Sequence, residues 1–389
     1  MKLDIYFQPM GNIPNNLLAD TCKGIRIACL QLQTIEAECQ LFQLHLAAIG
    51  LDQLVQTHIT SENDLHIAHF QLNPCWVNLY ANDYDTLQLC QRYKLDTYNS
   101  VADLEQEILL TMLMSPVAFS YPSFQELLSA LHIRKNIVLN ARKTALTFAT
   151  DAAERPEEYW TYHEDTGFTL IPGQSLIAAL QKATQPDNSG KLYSFSCYRA
   201  TEYVILLSLA QELSHCNPAL YQKLQRQWEQ KAIMSARFHD VFLLEYGSTE
   251  QPLPPKFYIP GDRLWFRNPD KYSAEATGYE GSWVFYLGNG LFSNFWNFDK
   301  PYTLIDKCVE IYHWRNAVAL DATGELHMDE AKVKVLVRET MKNPKEIKAI
   351  LETMMQYRAP RDVDIIGGCI DSTREYPRLA CPKTANITF

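Results

Sequence analysis

One cysteine, placed where a short apolar stretch turns into a long apolar helix, constrains this chain more than any other feature. Leu192-Tyr193-Ser194-Phe195 reads as a strand, and Phe195-Ser196-Cys197-Tyr198-Arg199-Ala200 leads into a helix expected over residues 198–213. The first turn of a helix presents N–H groups with no intrahelical partner and the positive end of the helix dipole. A thiol held there is biased towards thiolate, the nucleophilic form. The same N–H groups can hold the oxyanion that forms when a thiolate attacks an acyl carbon. Cys197 is therefore the candidate nucleophile of an acyl-transfer fold; the competing possibility is a cysteine that only fills a core.

Composition narrows the partners. A chain of 389 residues that is 47% hydrophobic and 21% charged is expected to fold compactly, as two or three domains. The net charge of −10 argues against nucleic acid or an anionic membrane as partner. No apolar run reaches the roughly 18 residues of a transmembrane helix, and Met1 to Tyr6 lack the basic-then-apolar order of a secretory leader. The ten cysteines form no C-x-x-C pair and no zinc spacing, so no metal or cofactor is expected. Free thiols suit a cytoplasmic location, with export by a dedicated machine left open.

Along the chain, helical spacing predicts a long helix over 17–51, closed by Gly50. A strand follows over 64–72 and extends the module to 75–79. Helices are predicted over 102–114, 122–131 and 136–147, with Ser120 or Ser123 as cap of the second and an extended link at 116–121. Glu164-Asp165-Thr166-Gly167 marks a hairpin, followed by helices at 173–183 and 220–233. Aromatic strands are expected between 241 and 298, turning at Gly288-Asn289-Gly290. Helices at 329–341 and from the Asn343-Pro344 start to about 357 close the pattern. Residues 359–389 hold three prolines and no steady period, which predicts a surface wrap. The expected division is 1–101 as an N-terminal α+β module, 102–325 as the core, and 326–389 as C-terminal helices and tail.

Four segments carry a family resemblance. Pro116-Val117-Ala118-Phe119-Ser120-Tyr121 with Glu126-Leu127 and Arg134 to Val138 resembles the helical part of the small Bacillus-type transglutaminases. Tyr193 to Ala200 resembles their cysteine turn, Gly261 to Pro269 their signature strand and turn, and Val284 to Gly288 the strand after it. The resemblance spans about 104–318. It implies an α+β, papain-like core of the kind shared with cell-wall cysteine peptidases, with the nucleophile at a helix N-terminus packed on an antiparallel sheet. It also implies protein-glutamine γ-glutamyl transfer, in which a thiolate takes a glutamine acyl group and passes it to an amine.

The chain departs from that family at its polar positions. The acidic residue before the cysteine is Ser196 here, and the catalytic glutamate of the following strand is Ser282. The histidine about a dozen residues further on has no counterpart in Phe292-Ser293-Asn294-Phe295-Trp296. Glu280, two residues before Ser282, is a candidate replacement, because residues two apart on a strand share a face. Asn294, with Asn297 and Asp299, is a candidate orienting group. Arg199 and Glu202 follow Cys197 in the same helix; a surface ion pair and a dipole-favoured acid are their ordinary roles.

General acid–base help is worth about 10²–10⁴-fold, so a site lacking it would favour a donor that is already activated. Three functions stay open on this basis. The first is amide-forming acyl transfer from a carrier-bound thioester or a protein glutamine to an amine acceptor. The second is glutamine deamidation or crosslinking as an effector. The third is non-catalytic binding on an inherited scaffold.

Overall fold

The computed structural model describes residues 23–62, 64–148, 153–186, 190–321, 324–358 and 367–389. The α+β class holds. The chain begins with β1 (Ile25–Cys29) and α1 (Leu32–Ala48) where one helix is predicted over 17–51; residues 17–22 lie outside the described ones. Ile25 and Ile27 are fully buried at a period of two, and sheet partners on both sides outweigh their fit to a helical stripe. α1 keeps the helical stripe, burying Ile35, Cys39, Phe42 and Leu46.

β2 (Val55–Glu62) and β3 (Leu65–Leu72) follow, then α2 (Pro74–Tyr80), a helix where the strand was to extend. Asn73 accepts the Cys75 N–H and Pro74 fills the first helical position, two local signals that start a helix. After α3 (Leu89–Tyr93) and α4 (Val101–Leu113), β4 (Phe119–Tyr121) pairs parallel with β1 and completes a four-stranded sheet in the order β2-β3-β1-β4. Thus a strand from the expected core segment finishes the N-terminal sheet. The two helices predicted over 122–147 are one, α5 (Phe124–Lys143), capped by Ser123, whose hydroxyl accepts the Glu126 N–H.

The predicted hairpin is β5 (Trp160–His163) with β6 (Gly167–Leu170), followed by α6 (Leu176–Thr184). The stretch before the cysteine is not a full strand; Ser194 makes a single parallel bridge to Thr147. α7 (Cys197–Cys216) runs through the centre of the molecule. It buries residues on all sides, from Ala200 to Leu213, and packs on α5, α6 and α8 (Pro218–Gln230). α9 (Ala236–Phe242), β7 (Leu243–Tyr246), β8 (Arg263–Arg267), α10 (Lys271–Ala274), β9 (Gly281–Gly288) and β10 (Leu291–Phe292) come next. β11 (Tyr302–Thr303), α11 (Leu304–Ala317), β12 (Val318–Leu320), β13 (Leu326–Met328), α12 (Glu330–Thr340), α13 (Pro344–Met354) and β14 (Arg374–Pro377) complete the chain.

The central sheet has six strands in the order β11-β10-β9-β8-β14-β7. Its alternation sorts the core. Phe285 and Leu287 join the cluster around α7, whereas Leu264, Phe266, Val284 and Tyr286 join Leu304, Cys308 and Ile311 of α11. Helices therefore cover both faces. The tail corrects the predicted surface wrap: β14 lies inside this sheet, and Cys369, Ile370 and Ala380 are fully buried. Residues 359–366 of that stretch lie outside the described ones. β14 ends in Pro377, and its four residues, of which Arg374, Glu375 and Pro377 are all buried, are too few to show a period.

Candidate active site

Ser196 is the N-cap of α7; its hydroxyl accepts the Arg199 N–H at 3.3 Å. The position where the resemblance implies an acid thus holds the helix start in register. Cys197 comes next and is half-buried, with part of its surface open to solvent. The backbone N–H groups of Trp283 in β9 and of Tyr198 are in hydrogen-bonding reach of its sulfur, and the positive charges of Lys307 and Arg263 act on it. Burial nevertheless wins, and the thiol is pushed up from its ordinary range. The helix start alone does not produce a resting thiolate; it limits the cost of making one.

Aromatic rings frame the sulfur. Tyr198 meets Trp283 edge to face at 5.3 Å, and Trp283 stacks on Trp265 at 6.1 Å. The guanidinium of Arg263 lies 4.0 Å from the Trp283 ring centre and 4.6 Å from that of Tyr198. Arg263 is buried, donating to Thr201 Oγ1 at 2.8 Å and to Glu375 Oε2 at 2.6 Å. Glu375 belongs to β14, so the tail neutralises the cation that steadies the rings beside Cys197. The close stacking needs Gly281: a Cβ there would stand 2.2 Å from Trp265 Nε1.

Lys307 approaches from α11. It is 2% exposed, its ammonium 2.7 Å from Glu310 Oε2 and 3.6 Å from the centre of the Tyr302 ring. Burial pushes the Tyr302 phenol up to about 12; the Lys307 charge works against that and the Glu310 carboxylate adds to it. Sequence reasoning missed Lys307. Its signal was present: a lysine on the buried stripe formed by Leu304, Cys308 and Ile311, where lysine almost never stands unless it is paired.

The other candidates fall out differently. Ser282 is buried in β9 opposite Phe266, one residue before the amide that reaches the sulfur. Glu280 is not brought to the site: it precedes β9, its side chain is exposed, and its backbone carbonyl accepts from Asn268 N–H at 3.0 Å. The shared-face expectation fails because position 280 has left the strand. Asn294 is also placed elsewhere. Its amide donates to the Lys300 carbonyl at 2.9 Å and it lines a separate crevice with Tyr98, Arg142 and Leu287. Asn297 and Asp299 are exposed. Arg199 pairs with Glu202, whose other oxygen accepts the Ser235 N–H at 2.6 Å. Burial lifts the Glu202 carboxyl to about 7 despite that arginine. His313 is a packed side chain bonded to Thr340 Oγ1 at 2.8 Å. Among the described residues, no group of three His, Cys, Asp or Glu is arranged to hold a metal ion, and no helix is long and apolar enough to cross a membrane.

The family profile for protein-glutamine gamma-glutamyltransferase matches residues 86–362, well over half of the chain, and takes in α7, β8, β9 and α11 but not β14. The chain belongs to that family. The family is one of acyltransferases, and this chain is an enzyme of that class. Among curated relatives, the protein-glutamine gamma-glutamyltransferase of Halalkalibacterium halodurans is 27% identical over 222 residues, 54% of this chain and 69% of the relative. That of Bacillus licheniformis is 22% identical over 198 residues, 50% of this chain and 74% of the relative. A solved transglutaminase from Geobacillus stearothermophilus is 20% identical, covering 56% of this chain and 98% of its own, with a TM-score of 0.37. Against this family background, the serines at 196 and 282 are where the γ-glutamyltransferase pattern implied by the resemblance is altered, and Arg263 is the charged group that the fold lays over the rings beside Cys197.

Proposed function

We propose that the chain joins a glutamine acyl group of a protein to a primary amine, with Cys197 as nucleophile and a thioester acyl-enzyme as intermediate. The observation that carries this is Cys197 at the start of α7, partly exposed as a residue, with the Trp283 and Tyr198 amides beside its sulfur. Thiolate attack converts the carboxamide into a tetrahedral oxyanion, which those two N–H groups are placed to receive. The C–N bond breaks, the departing nitrogen carries off the proton that left the thiol as ammonia, and the thioester remains; an amine then takes the acyl group and its proton returns to the sulfur. Water in place of the amine would give deamidation by the same intermediate.

A second reading concerns the donor. Serine at 196 and at 282 leaves the site without the carboxylates the resemblance implies, which favours a donor whose leaving group is already good, such as a carrier-bound thioester. The nine described cysteines are all free thiols, which suits work in a reducing cytoplasm.

The test is incorporation of a fluorescent primary amine into a glutamine-bearing protein. Incorporation lost in Cys197→Ala supports the proposal; incorporation unchanged in that variant removes it. Intact mass then separates the donors. An acyl adduct on Cys197 from an acyl thioester, with none from a glutamine peptide, selects the second reading.

A further inference from the structure

The two amides beside Cys197 belong to different elements, Tyr198 to α7 and Trp283 to β9, so packing and not one stretch of backbone sets their spacing. Both side chains are only half-buried, which limits what apolar contact alone can fix. One guanidinium spans the gap. Across β8 and β9, Arg263 stands opposite Phe285 and Trp265 opposite Trp283, so these four share the sheet face that packs on α7. There the Arg263 guanidinium lies 4.0 Å from the Trp283 ring centre and 4.6 Å from that of Tyr198, and the two rings meet edge to face at 5.3 Å. Arg263 Nε donates to Thr201 Oγ1 at 2.8 Å, and that hydroxyl donates onward to the Tyr198 carbonyl at 2.7 Å. From the other side comes the tail. Glu375 is the register partner of Arg263 in β14, and its Oε2 accepts from Nη1 at 2.6 Å, while its Oε1 lies 3.4 Å from His239 Nε2 of α9. β14 lies beyond residues 86–362, which the family profile matches. A buried arginine that needs only a counter-charge can find it in the scaffold, as Arg134 does in Asp262 at 2.8 Å. Arg263 instead joins α7, β9 and the tail at one point.

We propose that Arg263, locked by Glu375 and Thr201, is the positioning residue that sets the Tyr198 and Trp283 amides at the spacing an acyl oxyanion needs, and that the tail completes the site through it. This rests on Cys197 being the nucleophile. Two N–H groups stabilise a developing oxyanion only when both reach it, and a misplacement of about 1 Å can cost about 100-fold in rate. Lysine at 263 would keep the charge, but its ammonium lacks the planar fork that lies on two rings while bonding Thr201 and Glu375 at once. Removing the Glu375 charge leaves the Arg263 cation uncompensated, which strengthens the positive field at Cys197 and favours thiolate. A purely electrostatic role would therefore make Glu375→Gln more reactive. A positioning role makes it slower, and slower on carbonyls alone.

The experiment uses the full chain with Arg263→Lys, Glu375→Gln and Cys197→Ala, and two probes of the same sulfur. Cleavage of a p-nitrophenyl ester reports attack on a carbonyl, which passes through an oxyanion. Alkylation by iodoacetamide reports attack on a saturated carbon, which does not; it is followed by peptide mass at a pH where its rate has levelled. Arg263→Lys and Glu375→Gln are each expected to lose at least about tenfold in kcat on the ester, with KM within about threefold. Their levelled alkylation rates are expected to stay within about threefold of wild type, because the thiolate itself is unaltered. Equal losses on the two probes show a merely structural role and overturn the proposal. An ester rate that is unchanged or faster in Glu375→Gln overturns it as well. Should Arg263→Lys fail to melt cooperatively, Glu375→Gln decides by the same comparison. If Cys197→Ala abolishes ester cleavage while the other two variants match wild type, only the role of Arg263 is dismissed. If ester cleavage persists in Cys197→Ala, the nucleophile falls and the positioning role with it.

Discussion

Two buried cations sit near the central sheet and are treated in opposite ways. Arg134 in α5 is closed in: it donates to Asp262 Oδ1 at 2.8 Å and to the Pro260 carbonyl at 3.3 Å, between the rings of Phe119 and Tyr376. Asp262 Oδ2 accepts from Tyr246 and from the Ile259 N–H, so both of its oxygens are used inside the protein. Gly261 allows the approach, since a Cβ there would stand 3.0 Å from the Arg134 carbonyl oxygen. Lys307, by contrast, is paired with Glu310 on its own helix and lies over the Tyr302 ring. The first cluster joins α5 to the β7–β8 connection and carries no chemistry. The second holds its cation within one turn of α11, with the carboxylate three residues further on. The letters that carry the family resemblance, Arg134 and Gly261-Asp262, belong to the first. The same Gly261 to Pro269 segment also supplies Arg263, whose guanidinium lies over the rings beside Cys197, whereas Lys307 stands on a stretch without a motif.

That contrast can be broken at several points. Asp262→Ala leaves the Arg134 cation buried without a partner and is expected to cost about 3–5 kcal/mol in denaturant unfolding. A loss under about 1 kcal/mol would mean that the scaffold cluster is not closed. Glu202 comes next. Burial raises its carboxyl to about 7 in the folded chain, against about 4.3 unfolded. The folded state therefore holds the proton more tightly, so this contribution is complete below the unfolded value and declines as pH rises towards 7. Glu202→Gln is expected to flatten stability between those pH values by on the order of 1–3 kcal/mol; thermal melts across the range that stay parallel to wild type would refute it.

Smaller effects sharpen the division. Ser196→Ala removes the cap of α7 and is expected to cost about 1 kcal/mol. Ser196→Asp, which keeps a cap, should restore stability, and a failure to do so would point away from capping. Asn294→Ala loses its bond to the Lys300 carbonyl, about 0.5–1.5 kcal/mol, with turnover per folded molecule unchanged. Glu280→Gln is the smallest: stability within about 0.5 kcal/mol and the pH profile of turnover unmoved. A shifted profile there would place the exposed carboxylate in the site after all.

The features legible beforehand share one property, short range. Ser123 before Phe124, Asn343 before Pro344, and the Gly288-Asn289-Gly290 turn each act on backbone groups within a few residues, so their chemistry is written in neighbouring letters. The errors share the opposite property. Ile25 and Ile27 became strand because β3 and β4 lie on either side of them. Residues 374–377 became an interior strand because β7 and β8 were there to pair with. Glu280 and Asn294 were judged by spacing to the missing acid and histidine, and spacing says nothing of where a loop turns its side chains.

The amino-acid order by itself set the helix that begins at Cys197, the cap that starts it and the family to which the turn belongs, because capping and helix periodicity are decided within one or two turns. Only the folded chain decided that burial would push the Cys197 thiol up, that Glu375 from the tail would balance Arg263, and that Lys307 would be buried against Tyr302. Desolvation and Coulomb forces depend on distance through space, and α7, β8, α11 and β14 come within each other's reach only after the sheet has closed.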